Sequence, residues 1–142
     1  MQSDGLAKDF NSVLIVDDAS IVRISARNTL RSLGIGNIEE ADSVEAAWNL
    51  IVRKLESQHK IDLILCDWMM PGQDGMCLIR KIKADERFAD IPVVLVTSER
   101  AEDKVLEALQ VGFAGYIPKP LSLNALKNKL LSVRSLMQRK NA

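Results

Sequence analysis

Short apolar runs alternate with longer segments of helical period along this chain of 142 residues, and that alternation limits the fold more than any other feature. The first run, residues 13–16, is a continuous aliphatic and β-branched stretch, which is typical of a strand covered on both faces. Four further runs predict strands at residues 38–41, 61–66, 91–96 and 115–117. Strands that alternate with helices form an open parallel sheet, and right-handed crossovers restrict its topology. The common strand order for such a chain is 2-1-3-4-5. We therefore predict an α/β protein with three layers and a doubly wound sheet.

The segments that follow these runs predict five helices. We expect Ser20 to cap the first helix and Ser43 to cap the second, and the remaining three cover about 76–83, 102–111 and 122–138. The apolar positions of the first helix include Ile21, Ile24, Leu30 and Leu33. Pro118 places the fifth strand at a sheet edge, because proline cannot donate to a ladder. Residues 12–138 are thus predicted to form one domain, between a polar N-terminal extension (1–11) and a C-terminal tail (139–142).

Composition excludes several classes of function. The formal net charge is zero, so nothing points to nucleic acid or to an anionic membrane as a partner. No apolar run approaches the length of a membrane span. The two cysteines, Cys66 and Cys77, have neither zinc nor redox spacing, and Cys66 in its apolar run is predicted to be a small buried hydrophobe. These features predict a protein of the reducing cytoplasm.

Polar residues follow four of the predicted strands at their carboxyl ends. Asp17 and Asp18 follow the first strand and Asp67 the third, while Thr97 and Lys119 follow the fourth and fifth. In an open α/β sheet these ends meet at one edge, near the point where the strand order reverses. Each residue alone has an ordinary explanation as a cap, a turn or a solvated side chain. Together, three carboxylates that would otherwise repel one another favour a site for Mg²⁺, or for Mn²⁺, with Asp67 as a nucleophile for a phosphoryl group.

The chain resembles the response-regulator receiver domains of two-component signalling, in particular the stand-alone, CheY-like type. The similarity runs from about residue 12 to residue 138 and rests on a set of short motifs. These are Leu14-Ile15-Val16-Asp17-Asp18, Ile38-Glu39-Glu40-Ala41, Cys66-Asp67-Trp68-Met69-Met70-Pro71, Asp74-Gly75, Val96-Thr97-Ser98-Glu99, Gly112, Gly115-Tyr116 and Lys119-Pro120. The resemblance implies a flavodoxin-like (βα)₅ fold, and a protein that is not an enzyme beyond catalysing its own phosphorylation and dephosphorylation.

The resemblance also implies a role for each site residue. Asp67 would be the phosphoacceptor, and Asp18 and Asp67 would bind Mg²⁺ directly, with Asp17 acting through water. The backbone carbonyl of Met69 would be a further metal ligand. Thr97 would donate a hydrogen bond to the phosphoryl group and Lys119 would pair with it.

The signal that the resemblance implies passes from the site to an output surface. Thr97 and Tyr116 would form the switch pair, which acts on the face made by the fourth predicted helix, the fifth strand and the fifth helix. The Lys119–Pro120 peptide is expected to be cis. The implied partners are a sensor histidine kinase or phosphotransfer protein and a downstream protein, with chemotaxis as one pathway. The chain would be a monomer or a weak phosphorylation-dependent dimer.

Several positions depart from the family pattern. Met69 stands where the chemotaxis regulators carry a polar side chain that can orient water, so the lifetime of the phosphoryl group is open. Ser43 replaces a frequent glycine, Leu121 a frequent aromatic residue, and Pro118 beside Lys119 is unusual. None of them removes an essential chemical group.

Other functions fit the residues less well. A phosphatase on a similar sheet needs a second acidic residue two places after its nucleophile, where this chain has Met69. A flavin-binding module would have a loop rich in Ser, Thr and Gly after the first strand, whereas this loop carries Asp17 and Asp18. A phosphorelay intermediate, an adaptor in another pathway and a receiver cut from a longer regulator remain open.

Some conspicuous residues are interpreted as structural. Trp48 and Trp68 are expected to pack, and His59 is expected to be solvated. The last 22 residues carry several cations and no acidic residue, which suits a helix C-terminus, although a docking surface for an acidic partner stays open. Those cations are Lys127, Lys129, Arg134, Arg139 and Lys140.

Overall fold

The predicted runs form a five-stranded parallel sheet in the order β2-β1-β3-β4-β5. The computed structural model describes residues 5–68, 70, 74–98 and 102–140. The strands are β1 (Ser12–Val16), β2 (Asn37–Ala41), β3 (Leu63–Cys66), β4 (Val93–Thr97) and β5 (Gly115–Pro118). The helices are α1 (Leu6–Asp9), α2 (Ser20–Ser32), α3 (Val44–Glu56), α4 (Gly75–Ala84), α5 (Glu102–Val111) and α6 (Leu123–Lys140). The α/β class, the doubly wound sheet and the strand order are confirmed, and Pro118 lies in an edge strand as predicted.

Two hydrophobic clusters lie on the two sides of this sheet, because successive side chains of a strand point to opposite faces. In β1, Leu14 and Val16 belong to one cluster, together with buried residues of α3, α4 and α5. Val13 and Ile15 belong to the other, together with buried residues of α1, α2 and α6. The central strands are buried on both faces, which explains why their sequences read as unbroken apolar runs.

Among the described residues, side-chain caps begin three helices. The Ser43 hydroxyl accepts a hydrogen bond from the Ala46 N–H, as predicted, and the Ser122 hydroxyl accepts one from the Ala125 N–H. The Asp74 carboxylate accepts one from the Cys77 N–H at 3.3 Å and so begins α4. Such caps satisfy N–H groups that the helix itself leaves without partners.

The start of α2 differs from the prediction. Ser20 is the first helical residue and not the cap; Ala19 occupies the cap position, with no side-chain bond to the helix. The chain already turns at Asp17, whose carboxylate accepts the Ala19 N–H at 2.9 Å, so the helix begins one residue early.

Two of the apolar positions counted in this helix do not face the core. Ile21 is 77% exposed and Ile24 is 55% exposed, whereas Leu30 is buried as predicted, together with Ala26. The first turn of α2 therefore presents large apolar side chains to its surroundings.

The N-terminal extension contributes to the core, which its polar composition did not indicate. Residues 6–9 form a short helix, and Leu6 and Phe10 are 2% and 0% exposed within the second cluster. The carboxylate of Asp9 lies 3.2 Å from the Arg134 guanidinium, so one cation of the basic last helix pairs within the chain. The boundary drawn at residue 12 stays a prediction, but the residues before it pack against the domain.

Among the described residues, no helix combines the length and the apolar character that crossing a lipid bilayer requires.

Candidate functional site

Three carboxylates meet at the carboxyl ends of β1 and β3. Asp17 and Asp67 are 3% and 7% exposed, and Asp18 is exposed. One oxygen from each of the three lies within 4.8 Å of the others. β1 and β3 are neighbours in register, with Val16 opposite Cys66, so the residues that follow them emerge side by side. The structure thus brings together the three aspartates that the sequence singled out.

Lys119 completes this cluster from the end of β5. Its ammonium lies 2.8 Å from Asp17 Oδ2 and 3.2 Å from Asp67 Oδ2. Its backbone N–H donates to the Thr97 carbonyl at 3.0 Å, which ties the connection after β5 to the end of β4. The Lys119–Pro120 peptide is cis, as predicted.

Two pKa values in this cluster, those of Asp67 and Lys119, are raised. Burial raises the pKa of Asp67, and the neighbouring charge of Asp17 adds to the rise, against the opposing effect of Lys119. For Lys119, burial acts to lower the pKa, but the hydrogen bond and charge of Asp17 and the charge of Asp67 outweigh it and raise the pKa. Lys119 is therefore a firmly protonated cation between two carboxylates, one of which is poorly stabilised as an anion.

Hydrogen bonds and one close packing contact fix the position of Asp67 and its backbone. Its N–H donates to the Val16 carbonyl at 2.9 Å, and its Oδ1 accepts the Trp68 N–H at 2.8 Å. The Cys66 thiol donates to the Asp67 carbonyl oxygen at 3.2 Å. A Cβ added to Gly75 would lie 2.5 Å from the same oxygen, so that only glycine fits the start of α4 at this distance. In the sequence, Gly75 is conspicuous only as part of the Asp74-Gly75 motif, and no local pattern indicates this close approach.

Asp17 is held as closely as Asp67. Its N–H donates to the Ala41 carbonyl at 3.1 Å, and its carbonyl accepts from Arg23 Nη1 at 2.7 Å. Arg23 was not among the site residues predicted from the sequence. The available signal was an arginine six residues after Asp17, close to the start of a helix.

Of the other predicted site residues, the structure describes Thr97 and Tyr116 but not Met69. Thr97 ends β4 and is 2% exposed. Since Cys66 pairs with Leu95, the strand register places Thr97 at the same edge as Asp67. Tyr116 lies in β5 opposite Leu95 and is half-buried against the first cluster. Met69 lies outside the described residues, so its backbone carbonyl stays a prediction.

The residues interpreted as structural behave as expected where the structure describes them. Trp68 is buried and stacks on Phe113, with ring centroids 6.5 Å apart. Trp48 packs edge-on against Phe88 at 5.5 Å. His59 is exposed. Cys66 is fully buried, and burial raises the pKa of its thiol, which suits an inert side chain.

An apolar cavity of about 360 Å³ opens beside the carboxylates on the side of the sheet that α2 covers. Its walls include Val22 of α2, Leu65 of β3 and Leu121, and Asp17, Asp67 and Lys119 lie at its polar end. The first turn of α2 borders it through the exposed Ile21.

The donor set of the three aspartates suits a hard divalent cation. Carboxylate oxygens are the ligands that Mg²⁺ takes in proteins, and they are close enough here to share one ion. Lys119 neutralises only one of the three negative charges, so the group is left with an excess of negative charge. Asp17, Asp18 and Asp67 therefore fit a magnesium ion in both chemistry and spacing.

Comparison with known proteins decides the family. The family model described as "Response regulator receiver domain" matches residues 13–131. The chain belongs to the response-regulator receiver family. It is 40% identical to the chemotaxis protein CheY of Pseudomonas aeruginosa over 118 residues, which cover 83% of this chain and 91% of that protein. It is 37% identical to CheY1 of Helicobacter pylori over 118 residues, with 83% and 92% covered. This receiver is thus of the CheY type, a response regulator of a two-component system.

Solved structures agree on the fold. The chemotaxis protein CheY4 of Vibrio cholerae matches this receiver with a TM-score of 0.74 at 25% identity, covering 87% of this chain and 98% of that one. The receiver domain of the Arabidopsis thaliana histidine kinase CKI1, solved with Mg²⁺ and BeF₃⁻, matches with a TM-score of 0.75 at 27% identity, covering 92% and 97%. Both are receiver structures, so the expected flavodoxin-like fold is confirmed.

Proposed function

We propose that this receiver is a stand-alone response regulator that accepts a phosphoryl group on Asp67 and signals through a protein partner. The observation that carries the proposal is the grouping of Asp17, Asp18 and Asp67 around the ammonium of Lys119 at the edge of the sheet. Asp67 follows β3, the middle strand of the sheet, and contacts Lys119. Asp17 shares the contact with Lys119, so the choice of Asp67 as the acceptor rests on the similarity of its surrounding motif to the receiver family.

Mg²⁺ is the cofactor in this proposal, with Mn²⁺ as a substitute. Asp18 and Asp67 would hold the ion directly, Asp17 would hold it through water, and the Met69 carbonyl would add a further ligand. When bound, the ion neutralises negative charge, so that the phosphoryl group of the donor can approach three carboxylates without strong repulsion. The CKI1 receiver solved with Mg²⁺ and BeF₃⁻ supports this assignment by similarity.

In the proposed reaction a phosphoryl group passes from a histidine nitrogen of the donor to a carboxylate oxygen of Asp67. A carboxylate oxygen of Asp67 attacks the phosphorus of a phosphohistidine on the donor protein. The P–O bond of an acyl phosphate forms, while the P–N bond breaks and its electron pair stays on the imidazole nitrogen. Lys119 stays protonated and pairs with the new negative charge, and the Thr97 hydroxyl donates a hydrogen bond to a phosphoryl oxygen. Positioning and charge account for most of the rate of such transfers, which suits a small site.

The same groups provide the switch. Before phosphorylation Lys119 bridges Asp17 and Asp67. Transfer places a new anion on Asp67, which draws Lys119 and Thr97 towards it. Lys119 directly follows β5, the strand that carries Tyr116, and it donates its backbone N–H to the carbonyl of Thr97 at the end of β4. Movement of these two residues therefore alters the face made by α5, β5 and α6.

The donor in this proposal is a sensor histidine kinase or a phosphotransfer protein, and the target is a downstream protein, as the names of the chemotaxis relatives suggest. The receiver works as a monomer or as a weak dimer that depends on phosphorylation, in the cytoplasm, without contacting nucleic acid directly. It turns over no external substrate, because position 69 offers a methionine where an acid would be required.

An alternative is a relay intermediate or an adaptor outside chemotaxis. The observation that favours it is the similarity to a receiver that belongs to a histidine kinase, which is a different setting from the CheY proteins. Capture of partners with and without beryllofluoride separates the two: a flagellar-motor protein supports chemotaxis, and a histidine phosphotransfer protein that takes the phosphoryl group onward supports the relay.

The proposed reaction is tested by intact mass spectrometry with acetyl phosphate and Mg²⁺. The wild-type chain should gain the mass of one phosphoryl group, and the gain should disappear in Asp67→Asn or when the metal is chelated. A gain of the same size in Asp67→Asn would place the acceptor elsewhere and overturn the proposal.

A further inference from the structure

We infer that Arg23 is a positioning residue for the metal site: it holds the backbone of Asp17, and Glu40 in turn holds Arg23. The inference rests on the proposed function, because it concerns the affinity of the same carboxylates for Mg²⁺. Arg23 itself offers no ligand atom to a cation, so it acts through Asp17.

Arg23 spans the end of β1 and the neighbouring strand β2. Its Nη1 donates to the Asp17 carbonyl at 2.7 Å, and its Nε donates to Glu40 Oε1 at 3.0 Å. Its side chain is only 18% exposed. Arginine is suited to this position because its planar fork offers separate nitrogen donors, so that Nε bonds Glu40 while Nη1 bonds the Asp17 carbonyl.

A second arginine, Arg27 in the next turn of α2, also pairs with Glu40. Arg27 Nε donates to Glu40 Oε2 at 2.9 Å, so the two cations of one helix face share a carboxylate. Without Glu40 these like charges, four residues apart, would repel each other. Burial acts to raise the pKa of Glu40, but hydrogen bonds from Arg27 and Arg23, with their charges, outweigh it and lower that pKa. Glu40 therefore stays ionised and keeps Arg23 in place.

The consequence for Asp17 is that every polar group it carries has a partner. Its N–H pairs with Ala41, Oδ1 with the Ala19 N–H and Oδ2 with Lys119, and Arg23 supplies the partner of the carbonyl. Asp17 is directly followed by Asp18, which is exposed. Holding the carbonyl of Asp17 thus orients the peptide that leads into Asp18, so that both carboxylates face the site before a cation arrives.

Arg27 offers a matched control. It carries the same charge, lies on the same helix face and contacts the same Glu40, yet its bonds go to Glu40 and to the Ile38 carbonyl and not to Asp17. Arg23→Lys and Arg27→Lys both keep the charge, so a difference between them measures the contact with Asp17 and not the field of a cation near the site.

The test is calorimetric titration of the wild-type chain and the two variants with Mg²⁺ alone. We expect the dissociation constant to rise about tenfold in Arg23→Lys, the lower end of the effect of losing a residue that supports a metal ligand. Arg27→Lys should stay within about twofold of the wild type. Equal dissociation constants in the two variants would overturn the inference. A wild-type chain that binds no Mg²⁺ would instead overturn the proposed function.

A second readout needs no metal. In the Mg²⁺-free protein, the Ala19 amide, which donates to Asp17 Oδ1, should exchange its hydrogen faster in Arg23→Lys than in Arg27→Lys. Unchanged exchange would contradict the positioning role.

If Arg23→Lys does not fold, Glu40→Gln provides a second test, because it weakens the ion pair that keeps Arg23 in place. Its control is Glu39→Gln, which removes the same charge from β2 at a residue that pairs with Lys54 at 3.4 Å. Weaker Mg²⁺ binding in Glu40→Gln alone supports the inference, and equal weakening in both contradicts it.

Discussion

The two sides of the sheet flank Asp67 very differently. On the side covered by α3, α4 and α5, which we call the dense side, Trp68 stacks on Phe113 and Gly75 lies against the Asp67 carbonyl. On the side covered by α1, α2 and α6, the open side, a cavity of about 360 Å³ lies beside the carboxylates and Ile21 is exposed.

The difference separates two requirements of the site. Alternation along β3 directs the Asp67 side chain to the same side as Leu65, which is the open side, while the next residue, Trp68, packs into the dense side. The dense side therefore holds the backbone of Asp67 and the open side leaves its carboxylate accessible. A phosphoacceptor needs both, because its nucleophile must be in a defined place and a donor must still reach it.

The largest expected effect is on the dense side. Phe113→Ala removes a ring that is 4% exposed and stacked on Trp68, and it should lower the free energy of unfolding by about 3–5 kcal/mol. Leu109→Ala, at a side chain 45% exposed, should cost less than about 1 kcal/mol. Chemical denaturation measures both. Similar losses for the two variants would show that the buried Phe113 ring contributes no more to the packing of the dense side than an exposed side chain of α5 does.

The second effect concerns the contact between α4 and Asp67. Gly75→Ala would bring a Cβ to 2.5 Å from a backbone oxygen, so the chain must shift, at a cost of about 2 kcal/mol. Gly36→Ala is the control, since a Cβ there meets nothing within 4 Å, and it should leave stability equal or up to about 1 kcal/mol higher. Denaturation by urea compares them. A Gly75→Ala variant as stable as Gly36→Ala would mean that the Asp67 backbone tolerates movement.

On the open side, a larger side chain should be accepted. Leu121→Phe points to the cavity and should raise the free energy of unfolding by about 0.5–1 kcal/mol. On the dense side, Ala47→Leu at a fully buried position should lower it by about 1–3 kcal/mol, because there is no space to fill. Thermal unfolding should therefore move in opposite directions for the two variants. Losses in both would contradict the contrast between the two sides.

The smallest expected effect depends on pH. Burial and the charge of Asp17 raise the pKa of Asp67, so the folded state binds this proton more tightly than the unfolded chain does. The favourable contribution is present below the unfolded pKa of about 3.9 and is lost as pH rises through the higher folded pKa. Without Mg²⁺, Asp67→Asn should thus be more stable than the wild type at pH 7, and the difference should shrink towards pH 3.

Denaturation curves across this range measure that difference. If Asp67→Asn raises the free energy of unfolding equally at pH 3 and pH 7, the fold stabilises the Asp67 anion as well as water does. Asp67 would then not be desolvated.

Much of the fold follows from local sequence patterns. The parallel sheet and its order follow from apolar runs that alternate with helical segments, and the strand ends then bring Asp17, Asp67 and Lys119 together. The edge position of β5 follows from Pro118. These features depend on periodicity and on the geometry of parallel strands, which a single sequence carries.

The remainder depends on packing. The extension before residue 12 is polar on average, yet Leu6 and Phe10 lie four residues apart and so share one helical face against the core. In α2 the buried stripe runs through Ala26 and Leu30, and each residue turns about 100° about the axis, so Ile21 and Ile24 lie off it. The Gly75 contact depends on the distance between two separate elements, and no local pattern records that distance.

The central claim is that one particular aspartate of the three accepts the phosphoryl group. After incubation with acetyl phosphate and Mg²⁺, reduction with borohydride converts an aspartyl phosphate to homoserine, and peptide mass spectrometry then reads the position. The account predicts homoserine at residue 67 and none at residue 17 or 18. Homoserine at either of those positions, with residue 67 unmodified, would contradict it.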